Sequence, residues 1–224
     1  MSNEKSSKLI ILGASDLARL ALINFRDHSN YDVVAFAVDR EYRKMDSLLD
    51  LPVVDTESIS DKFSPSKFSV FVAIGYSNIN RLRAAACKRM KGLGYSLASF
   101  VSPFCTYLSE HQVGENTFIF EDNTVQPFVK IGSNVIIWSG NHIGHDVTIE
   151  DDCFITSHVV ISGHCKIGRG SFLGVNATLR NDIKIGVETI VGAGAIIMKD
   201  TEDNSVWVPE RAKLFPKRSD MMEI

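Results

Sequence analysis

The chain has 224 residues, 24 Lys and Arg against 27 Asp and Glu, a net charge of −3 and 45% hydrophobic residues. That balance describes a globular protein with room for one large or two small domains, and it offers no basic footprint for nucleic acid. The polar N-terminus MSNEKSSK precedes only a short apolar run, Leu9 to Leu12, too short for a signal sequence or a membrane span, so the expectation is a cytoplasmic protein without a membrane partner.

Taken in order, Lys8 to Gly13 reads as a short apolar strand ending in glycine, Ala14-Ser15-Asp16 as a turn, and Leu17, Leu20, Ala21 and Phe25 as the apolar face of a helix. A second strand, Val33 to Val38, ends in Asp39, close to where a dinucleotide fold keeps its ribose-reading acid, although only one of the three fingerprint glycines is present. After a segment carrying Leu51-Pro52-Val53-Val54, Phe68 to Ile74 reads as a third buried strand, ending in Gly75-Tyr76-Ser77-Asn78 and running into a charged helix from Ile79 to Lys91. Ligands of open α/β sheets bind at the carboxyl ends of the strands. That rule gathers Gly13, Ala14, Ser15, Asp39, Gly75, Tyr76, Ser77 and Asn78 at one edge, and ordinary βα turns account for the same residues equally well. Gly92 to Phe100 supplies a last strand, and Ser102-Pro103 begins the passage into the second half. The expected division is an α/β, Rossmann-like domain over residues 1–100 and a second domain over residues 101–224.

From Val113 to Ile197 a Val, Ile or Leu returns at every sixth position without a miss. A period of six fits neither a helix nor one long strand, but it fits a short strand plus a corner, repeated, as in a parallel β-helix. The residue four after each of these anchors is usually small or β-branched (Val129, Val135, Val147, Cys153, Ala177), so both positions are expected inside a narrow three-sided prism. Glycine follows many anchors (Gly114, Gly132, Gly144, Gly168, Gly174, Gly186, Gly192), where tight corners are expected to need unusual backbone angles. Five coils stacked at strand spacing give a height of ~24 Å. The four cysteines lack CxxC spacing, and Cys153 and Cys165 fall at inward positions, so disulfides and a zinc cluster are not expected.

In a three-sided prism, residues eighteen apart stack. One edge then carries His145-Asp146, Gly163-His164 and Asn181-Asp182; another offers His158 above Asn176. An imidazole beside a carboxylate on a rigid coil can act as a general base, because the acid fixes its tautomer, which selects His145 with Asp146. Exposed corners also tolerate histidines with no role. His142 should point outward from a flat face, and its spacing to His145 lacks a helix and a third ligand, so no metal is expected. After the last anchor, Arg211, Lys213, Lys217 and Arg218 make the tail basic, fit to cap the prism, to meet an anionic ligand or simply to be solvated.

With its repeat and the segment NHIGHDVTI (Asn141 to Ile149), the chain resembles the hexapeptide-repeat acyltransferases with left-handed parallel β-helices. More narrowly, it is similar to bacterial nucleotide-sugar N-acetyltransferases and the sialic acid O-acetyltransferase-like group. The resemblance implies an N-terminal domain holding a nucleotide sugar and a β-helix holding acetyl-CoA, assembled as a homotrimer with active sites between subunits, in the synthesis of surface glycans such as O-antigen. It implies His145 and Asp146 as the catalytic pair. Gly13, Ala14 and Ser15 would lie at the diphosphate and Asp39 at the base and ribose, with Gly75 to Asn78, Trp138, Gly163 and His164 as further residues binding the nucleotide sugar. Gly174, Asn176, Gly192, Ala193 and Lys213 would lie along acetyl-CoA. The chain departs from many members at Asp16-Leu17, where they carry glycine-histidine, from some at Phe154, where a second histidine stands, and from some at Trp138, where an asparagine stands. The implied reaction is N-acetylation of a nucleotide-linked amino-deoxy sugar. Its rivals are O-acetylation of a sugar or sialic acid hydroxyl, and a non-catalytic trimeric scaffold that binds nucleotide sugar.

Overall fold

The computed structural model describes residues 7–214 and 216–222. Its N-terminal part runs β1 (Ser7–Leu12), α1 (Asp16–His28), β2 (Tyr31–Val38), β3 (Ser47–Leu48), β4 (Leu51–Asp55), a single turn α2 (Ile59–Lys62), β5 (Phe68–Val72), α3 (Arg81–Gly92) and β6 (Ser96–Leu97). The strands order as β3-β4-β2-β1-β5-β6. All neighbours are parallel except β3 and β4. The chain therefore leaves β1 toward β2 on one side and later crosses to β5 on the other, which makes the carboxyl ends of β1 and β5 the switch point of the sheet. At that point Gly13 has φ +125°, and a Cβ there would lie 2.7 Å from the Ala73 carbonyl oxygen. No other residue fits.

From Phe100 onward, two-residue strands wind a left-handed parallel β-helix. Strands pair with the one eighteen residues later, as in Thr124 with His142 and His142 with Val160, except at the far end, where Ile190 pairs with Val206. One face has seven strands, Phe100–Val101 through Val206–Trp207; a second has six, Thr106–Tyr107 through Ile196–Ile197; the third has four, Lys130–Ile131 through Lys184–Ile185. The anchors and the residues four after them fill the interior, from Ile119 and Val125 to Ala195 and Ile197. Each fully buried Ile contributes about 1.5–3 kcal/mol relative to exposure. Asn123 and Asn141 are also inside, and they satisfy each other: Asn141 Nδ2 donates to Asn123 Oδ1 at 2.9 Å, and Asn141 Oδ1 accepts from Val159 N at 2.7 Å.

Three expectations change. The prism is longer than the repeat, because Phe100–Val101 already pairs with Phe118–Ile119 and Val206–Trp207 extends the far end. The glycines that follow the anchors are not left-handed; a Cβ on Gly144 would lie 2.6 Å from Gly163 N, and one on Gly174 2.5 Å from Ala193 N, so they are there because successive coils touch. The left-handed angle falls two residues later, at every sixth position from Asn116 to Gly194, mostly on Asn, Asp or Gly but also on His158 and His164. Asn and Asp reach this region most readily among residues with a Cβ. Finally, α3 starts at Arg81 rather than Ile79, because Asn78, Ile79 and Asn80 have φ of 49°, 49° and 67° and form a left-handed loop.

The three faces differ in what they present outward. The seven-stranded face shows Phe100, Phe118, Ile136, Phe154 and Phe172, which pack with Phe25 and Phe71 of the N-terminal part in one apolar core. The six-stranded face shows Thr106, Thr124, His142, Val160, Thr178 and Ile196, and the four-stranded face Lys130, Thr148, Lys166 and Lys184. We call them the aromatic, threonine and lysine faces.

A polar seam joins the two halves at the edge between the lysine and aromatic faces. Arg83 of α3 is fully buried. Its guanidinium donates to Asn134 Oδ1 and O, to the carbonyls of Asp152, Cys153 and Gly75, and to Asn80 Oδ1, all at 3.0–3.2 Å. Burial pushes Arg83 down to about 10, so the group stays charged at neutral pH. Asn80 donates to the Gly170 carbonyl at 2.8 Å, and Arg81 pairs with Glu188.

Candidate active site

Three edges separate the three faces, and the edge between the threonine and lysine faces gathers the titratable corners. His145 Nδ1 lies 2.9 Å from Asp146 Oδ2, and His164 Nδ1 lies 4.0 Å from the same oxygen. The two imidazoles meet edge to face with centroids 4.8 Å apart. Their side chains are half-exposed: 53% for His145, 42% for Asp146 and 52% for His164.

The corner is rigid in its backbone and free in its side chains. Asp146 and His164 hold left-handed φ of 59° and 60°. His164 N donates to the His145 carbonyl at 2.9 Å, and His145 N donates to Gln126 Oε1 at 2.8 Å. Gly163 has a direct steric role, since a Cβ there would lie 2.8 Å from His145 Nε2. In this arrangement Asp146 accepts from Nδ1–H, which leaves the lone pair on Nε2 to take a proton. One coil on, Asn181 donates to Asp182 Oδ2 at 2.5 Å.

The other sequence-selected residues fall in two places. Gly13, Ala14, Ser15, Asp39 and Gly75 to Asn78 come together at the carboxyl ends of the strands. Ser15 Oγ donates to the Ala73 carbonyl at 3.5 Å, and Asp39 Oδ1 accepts from Arg89 at 2.6 Å. Tyr76 is exposed, and its ring packs on Phe154 and Phe172, with centroids 5.1 and 4.9 Å away. Asp16 begins α1, where an acid favours the helix N-terminus; it pairs with Arg19 at 3.2 Å, while Leu17 is buried. Gly174, Asn176, Gly192 and Ala193 line the edge between the aromatic and threonine faces, below Ser139-Gly140 and Ser157-His158. Lys213 is exposed in the tail. Trp138 stacks on Phe120 with centroids 4.8 Å apart, and its buried Nε1 has no hydrogen-bond partner among the described residues.

The sequence reading missed the outward apolar row. Phe154, noted only as a departure from relatives, is 2% exposed in the core shared by both halves, where its ring lies against the Arg83 guanidinium. The signal was present as Phe, Phe, Ile, Phe, Phe at positions one before the anchor and eighteen apart, starting at Phe100. Arg83 and Asn80 gave no such signal, because a charged helix normally reads as solvated.

No helix among the described residues is long and apolar enough to cross a membrane. Residues 8–90 match the PglD N-terminal domain family, and residues 110–144 and 129–163 match the bacterial transferase hexapeptide (six repeats) family. No curated protein sequence matches the chain. Among solved structures, the acetyltransferase domain of PglB from Neisseria gonorrhoeae is similar with a TM-score of 0.81 at 25% identity, covering 90% of this chain and 96% of that one. A point mutant of perosamine N-acetyltransferase from Caulobacter crescentus, in complex with CoA and GDP-perosamine, is similar with a TM-score of 0.79 at 25% identity, covering 89% and 92%. WeeI from Acinetobacter baumannii shares the fold, with a TM-score of 0.77 at 20% identity over 90% and 96%. With a PglD-type N-terminal domain over residues 8–90 and transferase hexapeptide repeats within residues 110–163, the chain is an acyltransferase that resembles the nucleotide-sugar acetyltransferases.

Proposed function

We propose that the chain transfers acetyl from acetyl-CoA to the amine of a nucleotide-linked amino-deoxy sugar, with His145 as general base and Asp146 as its orienting partner. The observation that carries this reading is the His145–Asp146 pair, 2.9 Å apart on an exposed corner. It stands in a chain that aligns over most of its length with an N-acetyltransferase holding CoA and GDP-perosamine. The amine nitrogen attacks the thioester carbonyl, and the C–S bond breaks as the tetrahedral intermediate collapses. His145 Nε2 takes the proton from nitrogen and passes it to the departing thiolate, a role worth roughly 10²–10⁴-fold. A thioester is already activated, so alignment supplies much of the remainder.

The arrangement of faces supports a homotrimer. The N-terminal half docks on the aromatic face, whereas the histidine corner lies on the one edge that does not border it. A sugar held at the carboxyl ends of β1 and β5 would therefore reach the His145 of a second copy rather than its own. The threonine face carries no formal charge in its outward row and leaves Ile196 68% exposed, as suits a surface covered by that copy. It lies between the histidine edge and the Gly174–Gly192 edge. Packing across it brings one subunit's corner toward the acetyl-CoA residues of the next. In the N-terminal half, Gly13, Ala14 and Ser15 would meet the diphosphate at the start of α1, with Arg19 offsetting Asp16.

The test is mass spectrometry of products after incubating the purified protein with acetyl-CoA and UDP-, dTDP- and GDP-linked 3-amino and 4-amino sugars, beside sialic acid. One added acetyl on an amino sugar is the expected result. Acetylation of sialic acid alone, or of nothing, contradicts the reading.

A further inference from the structure

From the corner geometry we infer that His145, Asp146 and His164 form a binding site for a borderline divalent cation, Zn²⁺ foremost, which acts as an inhibitor rather than a cofactor. Local spacing argues against a metal here, because His142 and His145 lie on a strand and a corner with no third donor between them. The coil supplies that donor from elsewhere: His164 comes from the next turn of the prism, and one donor atom from each of His145, Asp146 and His164 lies within 4.8 Å of the others.

The distances suit a tetrahedral ion. Arms of about 2.0–2.1 Å place neighbouring donors roughly 3.3 Å apart. The separations on either side of Asp146 Oδ2, 2.9 Å to His145 and 4.0 Å to His164, bracket that value. Small side-chain rotations close the difference, and the half-exposed groups are free to make them. The backbone that carries them is fixed by the His164 N to His145 carbonyl hydrogen bond at 2.9 Å, so an ion has only the side chains left to order. Two imidazoles and one carboxylate suit Zn²⁺ far better than Mg²⁺ or Ca²⁺, which prefer oxygen shells. The side open to solvent leaves a fourth position for water.

The consequence for catalysis rests on the function proposed above. An ion on His145 Nδ1 displaces Asp146 from that nitrogen and leaves the ring proton on Nε2. The lone pair that would accept the proton from the amine is then absent. Metal occupancy and base catalysis exclude each other.

The experiment uses the full-length protein stripped with a chelator, titrated with ZnCl₂ by calorimetry and with CoCl₂ by visible absorption. One Zn²⁺ per protomer and the intense bands of four-coordinate Co²⁺ are expected. His164→Asn should weaken binding at least tenfold, and His142→Asn should leave it unchanged. Absence of stoichiometric binding, equal affinity in His164→Asn, or loss in His142→Asn overturns the site. Inhibition reversed by chelator supports the exclusion, and full turnover with the ion bound overturns it. Zinc binding in a protein that acetylates no acceptor supports the site and counts against the base assignment instead.

Discussion

Two edges of the same prism are built from the same corner, with a left-handed residue every eighteen positions, yet they have opposite fates. At the seam, Asn134 and Asp152 occupy the left-handed slots, are buried, and surround the Arg83 guanidinium. At the histidine edge, Asp146 and His164 occupy the equivalent slots and stay half-exposed. The backbone slot does not decide the role; what covers it does. Under the N-terminal domain its polar groups must all be satisfied, because an unpaired buried group is costly. Left open, the same slots hold groups able to exchange protons.

The largest effect separating the two edges should come from Arg83→Met. It strands carbonyls of both halves without a donor, and the loss should be on the order of 3 kcal/mol, read as a lowered denaturant midpoint. A variant as stable as the parent would mean that the seam does not hold the halves together. Gly163→Ala tests the open edge. Its Cβ would sit 2.8 Å from His145 Nε2, and displacing the imidazole should lower kcat roughly 10–100-fold while the melting temperature barely moves. Unchanged turnover would place the reacting nitrogen elsewhere.

Arg81→Ala sharpens the contrast within the seam itself. The Arg81–Glu188 pair sits at its rim with Arg81 58% exposed, so solvent screens it and its removal should barely move the denaturant midpoint. A cost matching that of Arg83→Met would contradict the distinction between buried and rim contacts. Smallest is a chemical difference. Burial pushes the Cys87 and Cys153 thiols up to about 12, so both stay protonated at pH 8. Neither should react with a thiol reagent in the folded protein, and rapid labelling of either would show that the seam opens.

Much of the prism was legible because a period of six is a direct imprint of strand and corner, and stacking at eighteen brought His145, Asp146 and His164 to one edge on paper. The glycines misled for a physical reason. Contact between coils and a left-handed angle both favour glycine, and sequence alone does not separate them. The N-terminal half was readable as strands and helices. Its docking was not, because the aromatic row emerges only when each face is read separately at its own spacing, and Arg83 resembles any solvated helix charge until a second domain covers it. The Asn78 to Asn80 loop was hidden likewise, since Ile79 is an unusual residue for a left-handed angle.

Base catalysis at this corner is read out by the turnover of His145→Asn with acetyl-CoA and the amino sugar that the product screen identifies, measured beside its melting temperature. An unchanged melting temperature, within about 0.5 kcal/mol of stability, and a kcat lower by roughly 10²–10⁴-fold are expected. A variant that keeps most of its turnover at neutral pH would contradict His145 as the base.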